Sequence, residues 1–427
     1  MRRAVLISAL LGLLVAVAVH AQPGAIQPQL TGWSVPVPLS AASVGIVDVS
    51  LAVSEAGTVH VVWEDGGRLF HAHGAPIVSS PASEIAYGES PVLIGGAGSA
   101  AHLAFAALSG SQNDVYVSVW AGSAWSLPVD VLPTEGDASA PAIDRFGAQL
   151  AVVWAEATDL NEVYLATQSD GGSWVGGTVP GVSGGAPDVC LDATGVHVLF
   201  RDSDPITGKT DLWYARRNGV GWSLPVSVSN SPDWNSYAGR LACLSGQAHA
   251  AWQQETVSGY RVQHATGSDL GWDAGGTVSP SGDAFSPDLA AGGDGSLHLA
   301  WAQTNLVGYR RWLGGNWGTI ETLGVSGYVL DVALGAAPDG SIHLAWVELG
   351  AGGTARVMYS WRAAADPTPT ATPTRTPTAT KTGTPTATRT AAASLTPTAT
   401  RTATATATAA PSVVRRMYLP VVFRGER

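Results

Sequence analysis

Six histidines recur at one fixed place in the chain, each followed three residues later by an aromatic: His60 to Trp63, His102 to Phe105, His197 to Phe200, His249 to Trp252, His298 to Trp301 and His343 to Trp346. A seventh copy, Ala151 to Trp154, keeps the tryptophan and has no histidine. Imidazole is a common metal ligand, so six in register first suggest a metal centre. Their spacing argues against it. The copies start at residues 60, 102, 151, 197, 249, 298 and 343, 42 to 52 residues apart, so each histidine belongs to a different structural unit. On the second strand of its unit, each stands at least one strand spacing, about 4.8 Å, farther from a common axis than the innermost strand. Such side chains cannot converge on one ion. They are expected to fill a repeated packing or hydrogen-bonding niche, with the aromatics as core. No metal site, cofactor motif or catalytic residue is assigned from the sequence.

Other positions repeat in place but vary in chemistry. Two residues after the aromatic come Asp65, Glu156, Asp202, Gln254, Gln303 and Glu348. The connections between units carry Tyr87, Trp234, Tyr237, Phe285 and Tyr328, with Asp233, Asn235 and Asp283 among them. Sugar recognition uses apolar ring faces for stacking beside acids and amides for hydroxyls. The candidate ligand-binding residues are therefore Tyr87, Asp202, Asp233, Trp234, Asn235, Tyr237, Asp283, Phe285 and Tyr328. At any single position the alternative is structural, with acids capping loops and aromatics filling gaps. The stretch Ser231-Pro232-Asp233-Trp234-Asn235-Ser236-Tyr237 is the longest and most sugar-like of these connections.

The elements that must position these residues are short strands. Pro338 to Leu349 reads as a turn followed by an alternating half-buried run. In the fourth copy the strand-length segments are Pro187 to Leu191, Val196 to Phe200, Asp211 to Ala215 and Gly221 to Val226, separated by Gly, Asn, Asp and Pro. No apolar pattern of period 3.6 interrupts the repeats. Seven units of four antiparallel strands predict an all-β fold, a seven-bladed β-propeller. Trp125, Trp174, Trp222, Trp272 and Trp317 mark the fourth strand of copies two to six. The first copy offers only a degenerate Ala75-Pro76-Ile77, and the seventh has none. Gly32 to Val37 closely matches Gly221 to Val226 and stands unused ahead of the first repeat. The reading that balances the count pairs Trp33 to Pro38 with the strand Ala355 to Trp361, closing the ring and removing two exposed edges.

Cys190 and Cys243 are the two cysteines. Counting back from His197 and His249 puts them on inner strands of adjacent blades, one place out of register. They then face each other and can bond; a one-residue shift in either turn would separate them.

Composition bounds the partners. The 427-residue chain carries a net charge of −11, and its only lysines are Lys209 and Lys381, so no basic groove for nucleic acid can be assembled from the repeats. Arg2 and Arg3 precede an apolar run from Ala4 to Val19 and small residues ahead of Gln22, which reads as a signal peptide over residues 1–21. The propeller is assigned to residues 22–365. Residues 366–411 are a Thr/Pro/Ala-rich segment that cannot form a core and reads as an extended linker. The tail, residues 412–427, ends in a short apolar piece around Tyr418-Leu419-Pro420 that lacks the Thr-Gly of a sortase signal. The expectation is a secreted protein, attached to the cell surface through this tail, with a monomeric propeller.

With the blades laid out, residues 32–361 resemble the sialidase-like propellers built from bacterial neuraminidase (Asp-box) repeats. Ser169-Asp170-Gly171-Gly172-Ser173-Trp174 and Ser268-Asp269-Leu270-Gly271-Trp272 are shortened forms of that family's box, and Gly221-Trp222 keeps its end. The resemblance implies the architecture. A sialidase would further need three arginines on a carboxylate, a Tyr activated by Glu, and an Asp acid/base. The family's Arg-Ile-Pro motif is missing, and Arg68, Arg201 and Arg240 are scattered. The leading expectation is non-catalytic binding of an extracellular glycan or glycoprotein. The alternatives are a sialidase-like exo-glycosidase and a protein-interaction or structural surface domain.

Overall fold

The computed structural model describes residues 32–364, apart from 159, 160, 170, 205 and 220. The expected signal peptide, linker and tail lie outside the described residues. Within them there is no helix, and the strands form seven antiparallel sheets. Each sheet is a blade. The inner strands are Ile46–Val53, Glu89–Gly95, Ala138–Phe146, Gly185–Asp192, Ser236–Leu244, Phe285–Ala291 and Tyr328–Ala336, here blades 1 to 7. In blades 1 to 6 the strands follow one another outward in chain order. Each inner strand packs on its two neighbours, and the first meets the seventh, so the ring closes.

Blade 7 takes its outer strand from the other end of the chain. Val37–Pro38 pairs with Ala355–Arg362, Val37 opposite Tyr359 and Pro38 opposite Met358. The Ser34 N–H donates to the Trp361 carbonyl at 2.7 Å and the Leu39 N–H to Val357 at 2.8 Å. Trp33 takes the place that Trp272 and Trp317 hold elsewhere. Trp272 lies edge-on to Tyr214 of the preceding blade, Trp317 to His264, and Trp33 to Tyr309. The predicted seven blades and their closure are both observed.

The second strand shows why the His-x-x-aromatic spacing recurs. Residues three apart on a strand point to opposite faces. Trp301 and Trp346 therefore face the preceding blade, in the apolar clusters between blades 5 and 6 and between blades 6 and 7. The histidines face the following blade, where His60 meets Trp120 and His249 meets Trp312. The core is thus divided among the seven blade junctions. Gly308 lies under Trp301, where an added Cβ would sit 2.1 Å from Cε2 of the ring.

One sequence assignment is corrected. The outer strand of blade 1 is Ser83–Tyr87, not Ala75-Pro76-Ile77. No tryptophan marks it, so the motif search had nothing to find. The cysteine expectation holds. Cys190 stands opposite His197 and Cys243 opposite Ala248, one place out of register, and the two are disulfide-bonded with Cα atoms 5.6 Å apart.

Candidate functional site: the loop face and the axial channel

The repeated histidines are held within the blades. His197, His298 and His343 each share a hydrogen bond through Nδ1 with a tyrosine hydroxyl of the third strand, Tyr214, Tyr309 and Tyr359, at 2.6 to 2.7 Å. His60 and His249 instead meet His71 and His264 at 3.1 and 3.2 Å. Burial is the main cause that lowers these imidazoles, His60, His249, His298 and His343 to about 4 and His71 and His264 to about 3. Those hydrogen bonds and contacts fill the repeated niche between blades that the spacing predicted.

The acids and amides two residues past the aromatic clamp the blade connections. Ser43 donates to Asp65, Thr134 to Glu156, Ser183 to Asp202 and Ser326 to Glu348. Gln254 donates to the Ser231 hydroxyl and Gln303 to the Ser281 carbonyl. Glu156, Gln303 and Glu348 also accept the indole N–H two residues back, at 2.7, 3.4 and 3.3 Å. Asp202 therefore has a loop to hold, which the sequence could not distinguish from a ligand contact.

Inner strands begin where second strands end, as the pairings Gly185 with Arg201, Tyr237 with Gln253, Phe285 with Ala302 and Tyr328 with Leu349 show. The blade connections therefore gather on one face. Two groups of candidate residues lie there. Phe285 of blade 6 stacks on Tyr328 of blade 7, with ring centres 5.8 Å apart and planes at 19°. Exposed Asp283 stands nearby, accepting the Tyr260 N–H at 2.9 Å.

The second group is the loop Ser231 to Tyr237, fixed at both ends. Buried Ser231 donates its N–H to Asp211 at 3.3 Å. Asn235 accepts the Thr210 N–H at 3.0 Å and donates to Glu255 at 2.7 Å, while Ser236 is fully buried. Between these anchors Pro232 and Asp233 are exposed and Trp234 is half-buried. Burial, Glu255 and Tyr260 raise the Tyr237 hydroxyl pKa, while Arg201 and a hydrogen bond with Thr210 act the other way. The loop thus brings Tyr237 together with Arg201, Glu255 and Tyr260. Tyr87 stands apart, 72% exposed at the end of the blade 1 outer strand and paired with Arg68 across the sheet.

The three arginines do not share one surrounding. Arg68 pairs with Glu84 at 3.3 Å, Arg201 lies by Tyr237, and Arg240 lines the axial channel. That channel, about 560 Å³, is walled by the inner strands and carries Asp48, Asp144, Asp188 and Asp288 with Arg240, on which Asp331 also acts. Asp144, Asp188 and Asp288 each accept an inner-strand N–H of the next blade, from Leu191, Leu241 and Leu334, at 2.7 Å. Asp331 accepts that of Val49 at 3.3 Å. Burial pushes Asp144 up to about 7 and Asp288 to about 6, and raises Asp188 and Asp331. Burial and then Asp331 hold Asp48 well above the usual carboxylate range. Burial alone would lower Arg240, but the surrounding carboxylates outweigh it. The sequence reading missed this ring. Its signal was an acid placed inside five largely apolar inner strands, as in Pro187-Asp188 and Pro287-Asp288, with Arg240 inside a sixth.

No family model matches the chain, and no curated protein matches it. A protein of unknown function from Dyadobacter fermentans superposes with a TM-score of 0.50 at 11% identity, over 79% of this chain and 100% of that one. The chain is a seven-bladed β-propeller. Sialidase from Trypanosoma rangeli, solved with the inhibitor DANA, gives 0.45 at 8% identity over 66% of this chain and 56% of that one. The fungal lectin of Aleuria aurantia, described as six-bladed with a novel fucose recognition mode, gives 0.43 at 12% over 66% and 95%. At these identities the likeness is one of fold alone.

Proposed function

We propose that this protein is an exported, surface-associated propeller that binds an extracellular glycan or glycoprotein on its loop face, without turnover. The observation that carries this reading is the Ser231 to Tyr237 loop. Its ends are held by hydrogen bonds from Ser231 to Asp211 and from Asn235 to Glu255, Tyr237 stands beside Arg201 and Glu255, and half-buried Trp234 lies between the anchors. A platform ordered before the ligand arrives loses little conformational entropy on binding. The Phe285–Tyr328 stack is a second subsite on the same face. Export is supported by the leader-like residues 1–21 and the disulfide, which fits an oxidising compartment. Surface attachment rests on the Thr/Pro-rich segment and the tail.

The second reading, a sialidase-like exo-glycosidase, is favoured by one observation, the approach of Glu255 and Arg201 to Tyr237. It asks for two more arginines at that point, and Arg68 and Arg240 are placed elsewhere. A glycan array probed with the full chain, with a fluorogenic sialoside assay in parallel, separates the readings. The expected result is a defined set of bound glycans and no hydrolysis. Hydrolysis lost in Arg201→Ala would establish the enzyme instead.

A further inference from the structure

At the junction of blades 4 and 5 the disulfide lies against a carboxylate and an imidazole. Donor atoms of Asp192, His197 and Cys243 all fall within 4.8 Å of one another, and Cys190 is bonded to Cys243. The equivalent niches of blades 6 and 7 act as internal controls. There Asp294 and Asp339 accept from Ser296 and Ser341, whose hydroxyls meet His298 and His343. In blade 4 the hydroxyl is that of Thr194, and Asp192 Oδ1 also reaches His197 Nε2 directly, at 3.0 Å. Its other oxygen, Oδ2, is buried with no hydrogen-bond partner among the described residues. Residues at the Cys190 register, opposite the histidine, are Ala290 and Gly335 in the control blades. Only blade 4 joins two sulfurs to the Asp and His.

We infer that Cys190, Cys243, Asp192 and His197 form a Zn²⁺ site that the disulfide keeps closed and that its reduction opens. Two thiolates, one imidazole and one carboxylate are a tetrahedral zinc donor set. Zinc–sulfur bonds of about 2.3 Å place the two sulfurs about 3.7 Å apart, a separation that side-chain rotation supplies once the bond is open. The second shell is already built. Nδ1 of His197 is held by the Tyr214 hydroxyl at 2.6 Å, which leaves Nε2 aimed at Asp192. Both cysteines line the axial channel, which gives reductant and ion a route in. The reductant is a dithiol. Its thiolate attacks one sulfur to form a mixed disulfide, and its second thiolate releases that sulfur. The dithiol leaves as a cyclic disulfide, and two electrons and two protons remain on Cys190 and Cys243 as thiols. Zn²⁺ then displaces both thiol protons.

The test titrates the full chain with Co²⁺ as a spectroscopic stand-in for Zn²⁺, oxidised and after reduction with a water-soluble phosphine, which does not compete for metal as a dithiol does. The expected result is one tetrahedral Co²⁺ per chain with a thiolate charge-transfer band in the reduced protein only, displaced by Zn²⁺. Asp192→Asn, which keeps both cysteines, should weaken binding about tenfold or more, and Cys243→Ser should remove the thiolate band. Equal binding by the oxidised chain would overturn the inference. So would full affinity in Asp192→Asn, or a reduced chain that keeps its native circular dichroism and binds no metal. A reduced chain that loses its native signal and does not regain it on adding zinc would count against it equally.

Discussion

Asp202 and Trp234 are both candidates in the sequence, with the loop that carries Trp234 the foremost, and the structure gives Asp202 a structural task. Asp202 accepts from Ser183 at 3.0 Å and from its neighbour Ser203, so its carboxylate is occupied by the blade connection. Replacing it with Ala should lower stability by about 0.5 to 1.5 kcal/mol, the net worth of such a bond, and leave ligand affinity unchanged; denaturant melts with a binding titration check both. Gly308→Ala tests the packing under Trp301. With the added Cβ 2.1 Å from the ring, overpacking should cost about 1 to 3 kcal/mol, read as a lower denaturant midpoint at constant slope. At this scale the sequence exposed residue types and spacing but not partners. His343 and Glu348 repeat with equal regularity, yet one pairs with a tyrosine and the other with a loop serine, and both partners lie on segments whose approach is set by the sheet.

The most informative element is one of the shortest. Val37–Pro38 contributes two paired residues, yet Trp33 ahead of it is 6% exposed and donates its indole N–H to Glu321 at 3.0 Å. Arg362 lies over the same ring at 5.3 Å and pairs with Glu321 at 2.9 Å. Trp33→Ala should therefore destabilise the whole propeller by about 3 to 5 kcal/mol, as removal of a buried large aromatic does; loss of only local protection in hydrogen exchange would contradict a closing role. This element was legible because its Gly-Trp-Ser-x-Pro-Val pattern is repeated elsewhere. The outer strand of blade 1 was not, because Ser83–Tyr87 has no such mark and is defined only by pairing with Arg68 to His71.

At the scale of the whole molecule the axial carboxylates and the buried histidines oppose each other as pH changes. Raised carboxylate values favour the folded state most below the unfolded pKa of about 4. That contribution falls as pH rises through about 6 for Asp288 and about 7 for Asp144. Lowered histidine values act in reverse: their contribution is full above about 6.5 and is lost as pH falls toward about 4, where His249, His298 and His343 charge. Thermal stability should peak near neutrality on its acid side, and Asp144→Asn should flatten the alkaline limb; an unchanged limb would show that the channel carboxylates do not titrate in this range. The architecture itself was readable from the repeat period, whereas the channel was not, because its charges come from six distant strands and meet only when the ring closes. The central claim, that the loop face binds a glycan through a preformed aromatic platform, is tested most directly by isothermal titration of the full chain with its strongest array ligand, wild type against Trp234→Ala. The account predicts an unchanged fold by circular dichroism and an affinity weaker by about 1 to 3 kcal/mol, the usual cost of truncating an interface anchor; full affinity in the folded variant would contradict it.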